Sequence, residues 1–208
     1  MYPRPIPEAS RSARVAYVAL VATVLVLWLL PLVTVMLTSL RSFEEVMAGN
    51  YWGWPKSFNL VENYTAVFKQ TALARYFANS LIITLPSVLG VLILSTLTGY
   101  VLSRHRFPGN RLVFALFVGG NFLPAQIMMI PVRDLMVGIG LYDTFFALII
   151  FHTAFQTGFA TLFMRNFIAA LPDELFQAAR AEGASPWQTL WHVVVPLIRP
   201  ALAALAIL

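Results

Sequence analysis

The sequence predicts an all-α fold, a polytopic membrane helical bundle with four complete spans and the start of a fifth. Three observations carry that expectation. Of 208 residues, 59% are apolar and only 11% charged, whereas soluble domains run nearer a quarter charged. The charges are clustered, leaving residues 15–40, 76–103, 112–132 and 144–164 free of them. Each of these stretches has the ~20 residues that a helix needs to cross roughly 30 Å of hydrocarbon. A fifth apolar run opens near Val193, and the sequence stops at Leu208.

The net charge of +5 is read as topology. Arg4, Arg11 and Arg14 precede the first span, Arg104, Arg106 and Arg111 crowd the short turn after the second, and Arg165, Arg180 and Arg199 follow the fourth. With a cytoplasmic N-terminus all nine fall inside, as the positive-inside rule requires of short loops. Arg41, Lys56, Lys69, Arg75 and Arg133 fall on the other side. No basic face is interleaved with stacking aromatics, so nucleic acid is not an expected partner. The chain has no cysteine, which excludes disulfides and thiolate metal sites.

In chain order, residues 1–14 form a cytoplasmic tail and 15–208 one membrane domain. The first apolar run is too long for a signal-peptide core and reads as a retained anchor. An outside loop at about 41–75 contains YWGWP, whose aromatics suit an interface. An inside turn covers 104–111, an outside loop 131–143, and a longer inside segment 165–192. Pro31, Pro86 and Pro124 fall within spans and mark candidate bends.

Polar residues inside spans are costly in lipid and face a cavity or another helix. His152 and Gln156 are four apart in the fourth span, as are Thr153 and Thr157, which places all four on one broad helical face. Lining of a polar pathway and plain interhelical hydrogen bonding both fit them. Asn121 and Gln126 in the third span are weaker pathway candidates. His105 reads as solvated and His192 as interfacial. H-E-x-x-H, G-x-S-x-G and the G-x-x-x-x-G-K-[ST] phosphate loop are all missing from the sequence. No enzyme activity, cofactor or metal is expected.

The inside segment is punctuated with unusual care. Pro172 suits a first helical turn, and Asp173 and Glu174 place negative charge at the positive end of the helix dipole. Ala178 and Ala179 keep the surface low. Gly183 stops this helix with a φ above zero. Ser185, Pro186 and Gln188 start another at once, as N-cap, N1 and N3 of an S-x-x-Q capping box. Residues 171–192 therefore form a bent elbow whose shape suits docking into a cleft of another protein.

Here the chain resembles a family, the membrane subunits of bacterial ABC importers, whose mark is E-A-A, three residues, G, nine residues, I-x-L-P. Gln177-Ala178-Ala179, Gly183, Val193, Val195 and Pro196 fall at that spacing. Leu171-Pro172 with Glu174-Leu175, the AEGA of 181–184 with Glu182, NLVENYTAVF, SRHRFPGNR and MIPVRDLMVGIGLYDTFFALI resemble the carbohydrate-uptake branch, the maltose-permease type. The resemblance implies the ABC importer permease fold and a coupling role for Glu174, Gln177, Ala178, Ala179, Glu182, Gly183 and Pro196. It implies a dimer of ABC ATPase subunits, a second permease subunit and an extracytoplasmic solute-binding protein as partners, in a bacterial inner membrane. Gln177 departs from the family glutamate, so a charge-assisted contact would become a neutral one, roughly half as strong. The family pattern has six spans, so the 208 residues as written are expected to be transport-incompetent.

An ABC permease for an amino acid, peptide or phosphate is the alternative within this class. A stand-alone channel or secondary carrier would need coupling charges within the spans, which hold none unless His152 takes up a proton. A membrane enzyme lacks candidate residues.

Overall fold

Ser10 opens the first helix, its hydroxyl accepting from the Ala13 N–H at 3.3 Å. A computed structural model describes residues 10–49, 51 and 53–208; Arg4 and the rest of 1–9, and Trp52 of the YWGWP cluster, lie outside the described residues. Every regular element described is helical, and the chain divides into two compact units, Met1–Tyr76 and Phe77–Leu208.

The first unit holds α1 (Arg11–Leu40), α2 (Phe43–Met47) and α3 (Leu60–Gln70). The helix starts inside the expected tail, and Pro31 does not break it. None of the residues of α1 is buried, and its length and apolarity suit a membrane span. Beyond it the loop is tied by polar contacts. Arg41 is 1% exposed and donates to the Gly53 carbonyl, while Asn63 Nδ2 donates to the Arg41 carbonyl at 2.7 Å. The Glu45 carboxylate accepts the Lys56 N–H at 2.9 Å, which holds its pKa below the ordinary carboxylate value.

The second unit is built on α4 (Leu73–Arg104) and α7 (Phe145–Ala169), both long and apolar enough to cross a membrane. Pro86 leaves α4 unbroken. The two helices meet through small and hydroxyl residues. A Cβ added at Gly90 would lie 2.8 Å from Thr153 Cγ2, and one at Gly99 would lie 2.9 Å from the Arg165 backbone nitrogen. Between these contacts the Thr98 and Thr161 hydroxyls share a hydrogen bond of 2.7 Å. The pairs 90 with 153 and 98 with 161 run in the same sense, so the helices pack parallel. Met164 and Ile168 are completely buried beside this seam.

The expected third span is not one helix. Residues 112–132 fall on α5 (Asn110–Gly120) and α6 (Ala125–Gly138), which bend by 101° about 121–124. The cause is local. Gly119 and Gly120 weaken the end of α5, Asn121 Nδ2 takes the Phe117 carbonyl at 2.8 Å, and Pro124 cannot continue a helix through its missing N–H. At 11 and 14 residues the two pieces rise roughly 16 and 21 Å, so neither crosses roughly 30 Å of hydrocarbon unaided. Helix α5 packs on α7 where Gly158 leaves room; a Cβ there would come within 2.7 Å of the Phe117 carbonyl oxygen.

The inside segment follows as α8 (Asp173–Ala181) and α9 (Pro186–Thr189), then a π-turn (Leu190–Val194), α10 (Val195–Leu197) and α11 (Arg199–Ile207). The expected start of a fifth span is bent by 70° between Leu197 and Arg199. The π-turn precedes Pro196, whose ring would clash with the carbonyl four residues back; widening that turn relieves it.

The α4–α7 seam makes a quantitative prediction. Alanine gains helix propensity over glycine by about 0.5–1 kcal/mol at any interior helix position. Gly99→Ala must also push against backbone, an overpacking cost of about 1–3 kcal/mol, whereas a Cβ at Gly119 meets open space. In detergent, Gly99→Ala is therefore expected to unfold at a lower temperature than Gly119→Ala. Indistinguishable melting temperatures would show that the helices do not approach so closely.

Candidate functional site: the elbow and the cavity between α4 and α7

Two places gather the residues singled out in the sequence. The first is the elbow. Pro172 is the N-cap of α8 rather than its first residue, and Asp173 and Glu174 occupy the first turn. The helix closes in a Schellman motif: the Gly183 N–H donates to the Arg180 carbonyl at 3.0 Å, and the Ala184 N–H to the Ala179 carbonyl at 2.9 Å. Gly183 has φ +76°, as the stop signal required. Ser185 then accepts the Gln188 N–H at 3.2 Å while Gln188 Oε1 accepts the Ser185 N–H at 2.8 Å, which completes the capping box.

The helix α8 has two faces. Phe176, 4% exposed, and Ala179, 7% exposed, turn into the core with Ile168 and Leu190. Burying a phenylalanine in this way stabilises by roughly 1.5–3 kcal/mol. Glu174, Gln177, Ala178, Arg180 and Glu182 are exposed. Ala179 is therefore not part of the outward surface to which the sequence assigned it. It lies three residues from Phe176 on the inward face, and its small size lets α8 approach the chain's own core. Pro196 is exposed in the distorted helix that follows the elbow. Trp187 and Trp191 pack edge to face at 5.6 Å, and His192 is exposed with Nδ1 3.0 Å from the Gln188 carbonyl.

Arginines counted for topology hold this arrangement together. Arg104, at the end of α4, pairs with Asp173 and donates to the Ile168 and Leu171 carbonyls, both at 2.6 Å. Its guanidinium carbon lies 3.9 Å from the centre of the Phe176 ring. Arg165 stands 4.1 Å over the Phe114 ring of α5. His105 is half-buried edge-on against Tyr100 at 5.2 Å rather than solvated. Sequence reasoning missed Arg104; Asp173 and Phe176, three apart on one helical face, were the available signal.

The second place is a cavity of about 540 Å³ bounded by α4, α7 and the last residues of the chain, Leu205–Leu208. His152 and Gln156 line it from α7, with Thr84 and Ser87 opposite on α4. The four polar residues of α7 do not act alike. Thr153 sits against Gly90, and Thr157 is buried with its hydroxyl donating to the Thr153 carbonyl at 2.5 Å. Thr153 and Thr157 thus serve helix packing while His152 and Gln156 face open space. Asn121 caps α5, and Gln126 is exposed on α6; neither lines this cavity.

Known proteins give this geometry a context. The chain is 30% identical over 179 residues to the diacetylchitobiose uptake system permease protein NgcG of Streptomyces coelicolor, covering 86% of this chain and 59% of that one. It is 31% identical over 182 residues to the arabinooligosaccharides transport system permease protein AraQ of Halalkalibacterium halodurans, covering 86% and 64%. It spans roughly three fifths of the length of these curated relatives. A crystal structure of a bacterial ABC transporter involved in the import of the acidic polysaccharide alginate contains a chain that matches 97% of this one and 71% of its own length, with a TM-score of 0.81 and 27% identity. The family described as the binding-protein-dependent transport system inner membrane component matches residues 91–208, a stretch that takes in α4 from Val91 onward, α7 and the whole elbow, and the chain belongs to that family.

Proposed function

We propose that this chain acts as the permease subunit of an ATP-binding-cassette importer for a sugar, oligosaccharide or polyol, with its N-terminus cytoplasmic. One observation carries the reading: a preformed elbow, capped at both helices and locked inward by Phe176 and Ala179, presents Gln177, Ala178 and Glu182 outward. An ordinary connecting loop needs none of these devices. Two short helices held at a fixed bend suit a groove on a separate ATPase subunit. The ATPase pair, a second permease subunit and a solute-binding protein are the partners of this assembly. The diacetylchitobiose and arabinooligosaccharide names of the relatives support a carbohydrate as solute. In this reading, the cavity faced by His152 and Gln156 belongs to the translocation pathway, and ATP-driven closure of the ATPases moves the elbow and reorients the spans.

The test of the elbow uses the full-length complex. Ala178→Glu puts a charge on the outward face, where burial without a partner costs roughly 3–5 kcal/mol, and should release the ATPase subunits during purification. Gly183→Val strains a left-handed backbone position by about 1–3 kcal/mol and should weaken the same association. Gln177→Glu should be tolerated or should tighten it. Co-purification of ATPase at wild-type levels with both Ala178→Glu and Gly183→Val would sink the coupling role.

The cavity is tested by cysteine scanning, which is simplified by the absence of cysteine from these 208 residues. Cysteine at 152 or 156 should react with a water-soluble thiol reagent in the assembled complex, whereas cysteine at 157 or 161 should be protected. Equal protection at all four positions would assign His152 and Gln156 to helix packing.

A further inference from the structure

We propose that Arg104 is a positioning residue for coupling, the link through which a displacement of the elbow reaches α4; this rests on the elbow being the ATPase-docking element. The chain joins α8 directly to α7 through 170–172 and to α9 through 182–185, but α4 ends 69 residues before Asp173. What holds the end of α4 to the elbow is therefore a tertiary contact. Arg104 makes it in three ways at once. It pairs with Asp173 at the N-terminus of α8, donates to the Ile168 carbonyl in the last turn of α7 and to the Leu171 carbonyl in the link that follows, and stands over the Phe176 ring.

The charges explain why one cation serves both helices. Orphan carbonyls at a helix C-terminus attract positive charge, and a carboxylate suits a helix N-terminus. Arg104 stands between the negative end of α7 and Asp173, so each contact favours the same place for the guanidinium. Its side chain is 13% exposed, and bonds to a charged donor in such surroundings are short and directional. Apolar contacts such as those of Phe176 can slide, but directed bonds to three separate oxygens resist it. Only a planar guanidinium can stack on a ring while donating to oxygens on several sides; an ammonium is a point charge.

The consequence follows from the seam. Gly99 lies just over one helical turn before Arg104 and locks α4 to Met164 and Arg165 of α7. Motion delivered at Arg104 therefore enters the α4–α7 pair, the same pair whose facing sides carry Thr84, Ser87, His152 and Gln156 on the cavity.

The experiment is run on the full-length permease, assembled with its second permease and ATPase subunits in proteoliposomes. It measures ATPase retention and solute transported per ATP hydrolysed for Arg104→Met, Arg104→Lys and the exchange Arg104→Asp with Asp173→Arg. For Arg104→Met the ATPases should stay bound, because Gln177, Ala178 and Glu182 are untouched, while transport per ATP falls at least about tenfold. Arg104→Lys should recover part of the ratio. The charge exchange should not, since aspartate at 104 would face the carbonyls of α7. A wild-type ratio in Arg104→Met, or full rescue by the exchange, overturns the proposal. So does loss of the ATPase subunits from Arg104→Met, which would make Arg104 a shaper of the docking surface alone. If Arg104→Met does not assemble, Arg104→Lys decides: a wild-type ratio refutes the role and a reduced ratio with bound ATPase supports it. ATPase retention at wild-type levels by both Ala178→Glu and Gly183→Val would instead refute the elbow reading beneath it.

Discussion

Close approach of α4 and α7 is the constraint on which the second unit depends. Hydrocarbon supplies no apolar drive for two oily helices to associate, so packing and interhelical hydrogen bonds must do it. Both require small or hydroxyl residues at the contact. Gly90 and Gly99 leave no room even for a Cβ, and Thr98 and Thr161 join hydroxyls between them. This seam sets what can face what. It turns His152 and Gln156 toward Thr84 and Ser87 across one cavity, and it carries the end of α4 to the last carbonyls of α7. A larger residue at Gly99 would disturb the cavity and the elbow support together.

The elbow obeys a different rule. Its short helices cannot be stable from propensity, because nucleation is costly and few hydrogen bonds follow it. Their ends are therefore specified in full, by the Schellman closure at Gly183 and the capping box at Ser185. Phe176, Ala179 and Leu190 then anchor the bend from the core side. What remains outward is polar along α8, at Glu174, Gln177, Arg180 and Glu182, and aromatic beyond it, at Trp187 and Trp191. Rigidity and a usable surface arise from the same segment, residues 171–192.

Legibility divided along that line between local and tertiary causes. Stop and start signals act within about five residues, so the φ of Gly183 and both halves of the capping box could be read directly. Pro124 marked a bend in the third span, but Pro31 and Pro86 lie in unbroken helices. The difference is context: Gly119, Gly120 and Asn121 had already weakened the helix before Pro124. Spacing placed His152, Thr153, Gln156 and Thr157 on one broad face, yet adjacent residues sit 100° apart on a helix. Only the position of Gly90 on α4 separates the packed pair from the pair that lines the cavity. Ala179 was readable in principle, since it repeats the inward Phe176 at i+3.

Arg104 shows why a charge census undercounts what a charge does. The positive-inside rule sums arginines over a loop without asking what each one touches. Arg165 and Arg104 are structural as well: Arg165 on Phe114 fastens α5 to α7, and Arg104 on Phe176 fastens α4 to α8. The roles are compatible because both act at the ends of spans, where a guanidinium keeps polar partners while its flat face covers a ring. Lysine would meet the topological requirement equally well. It is the choice of arginine at these helix ends, combined with an aromatic ring on the neighbouring helix, that converts an orientation signal into a joint.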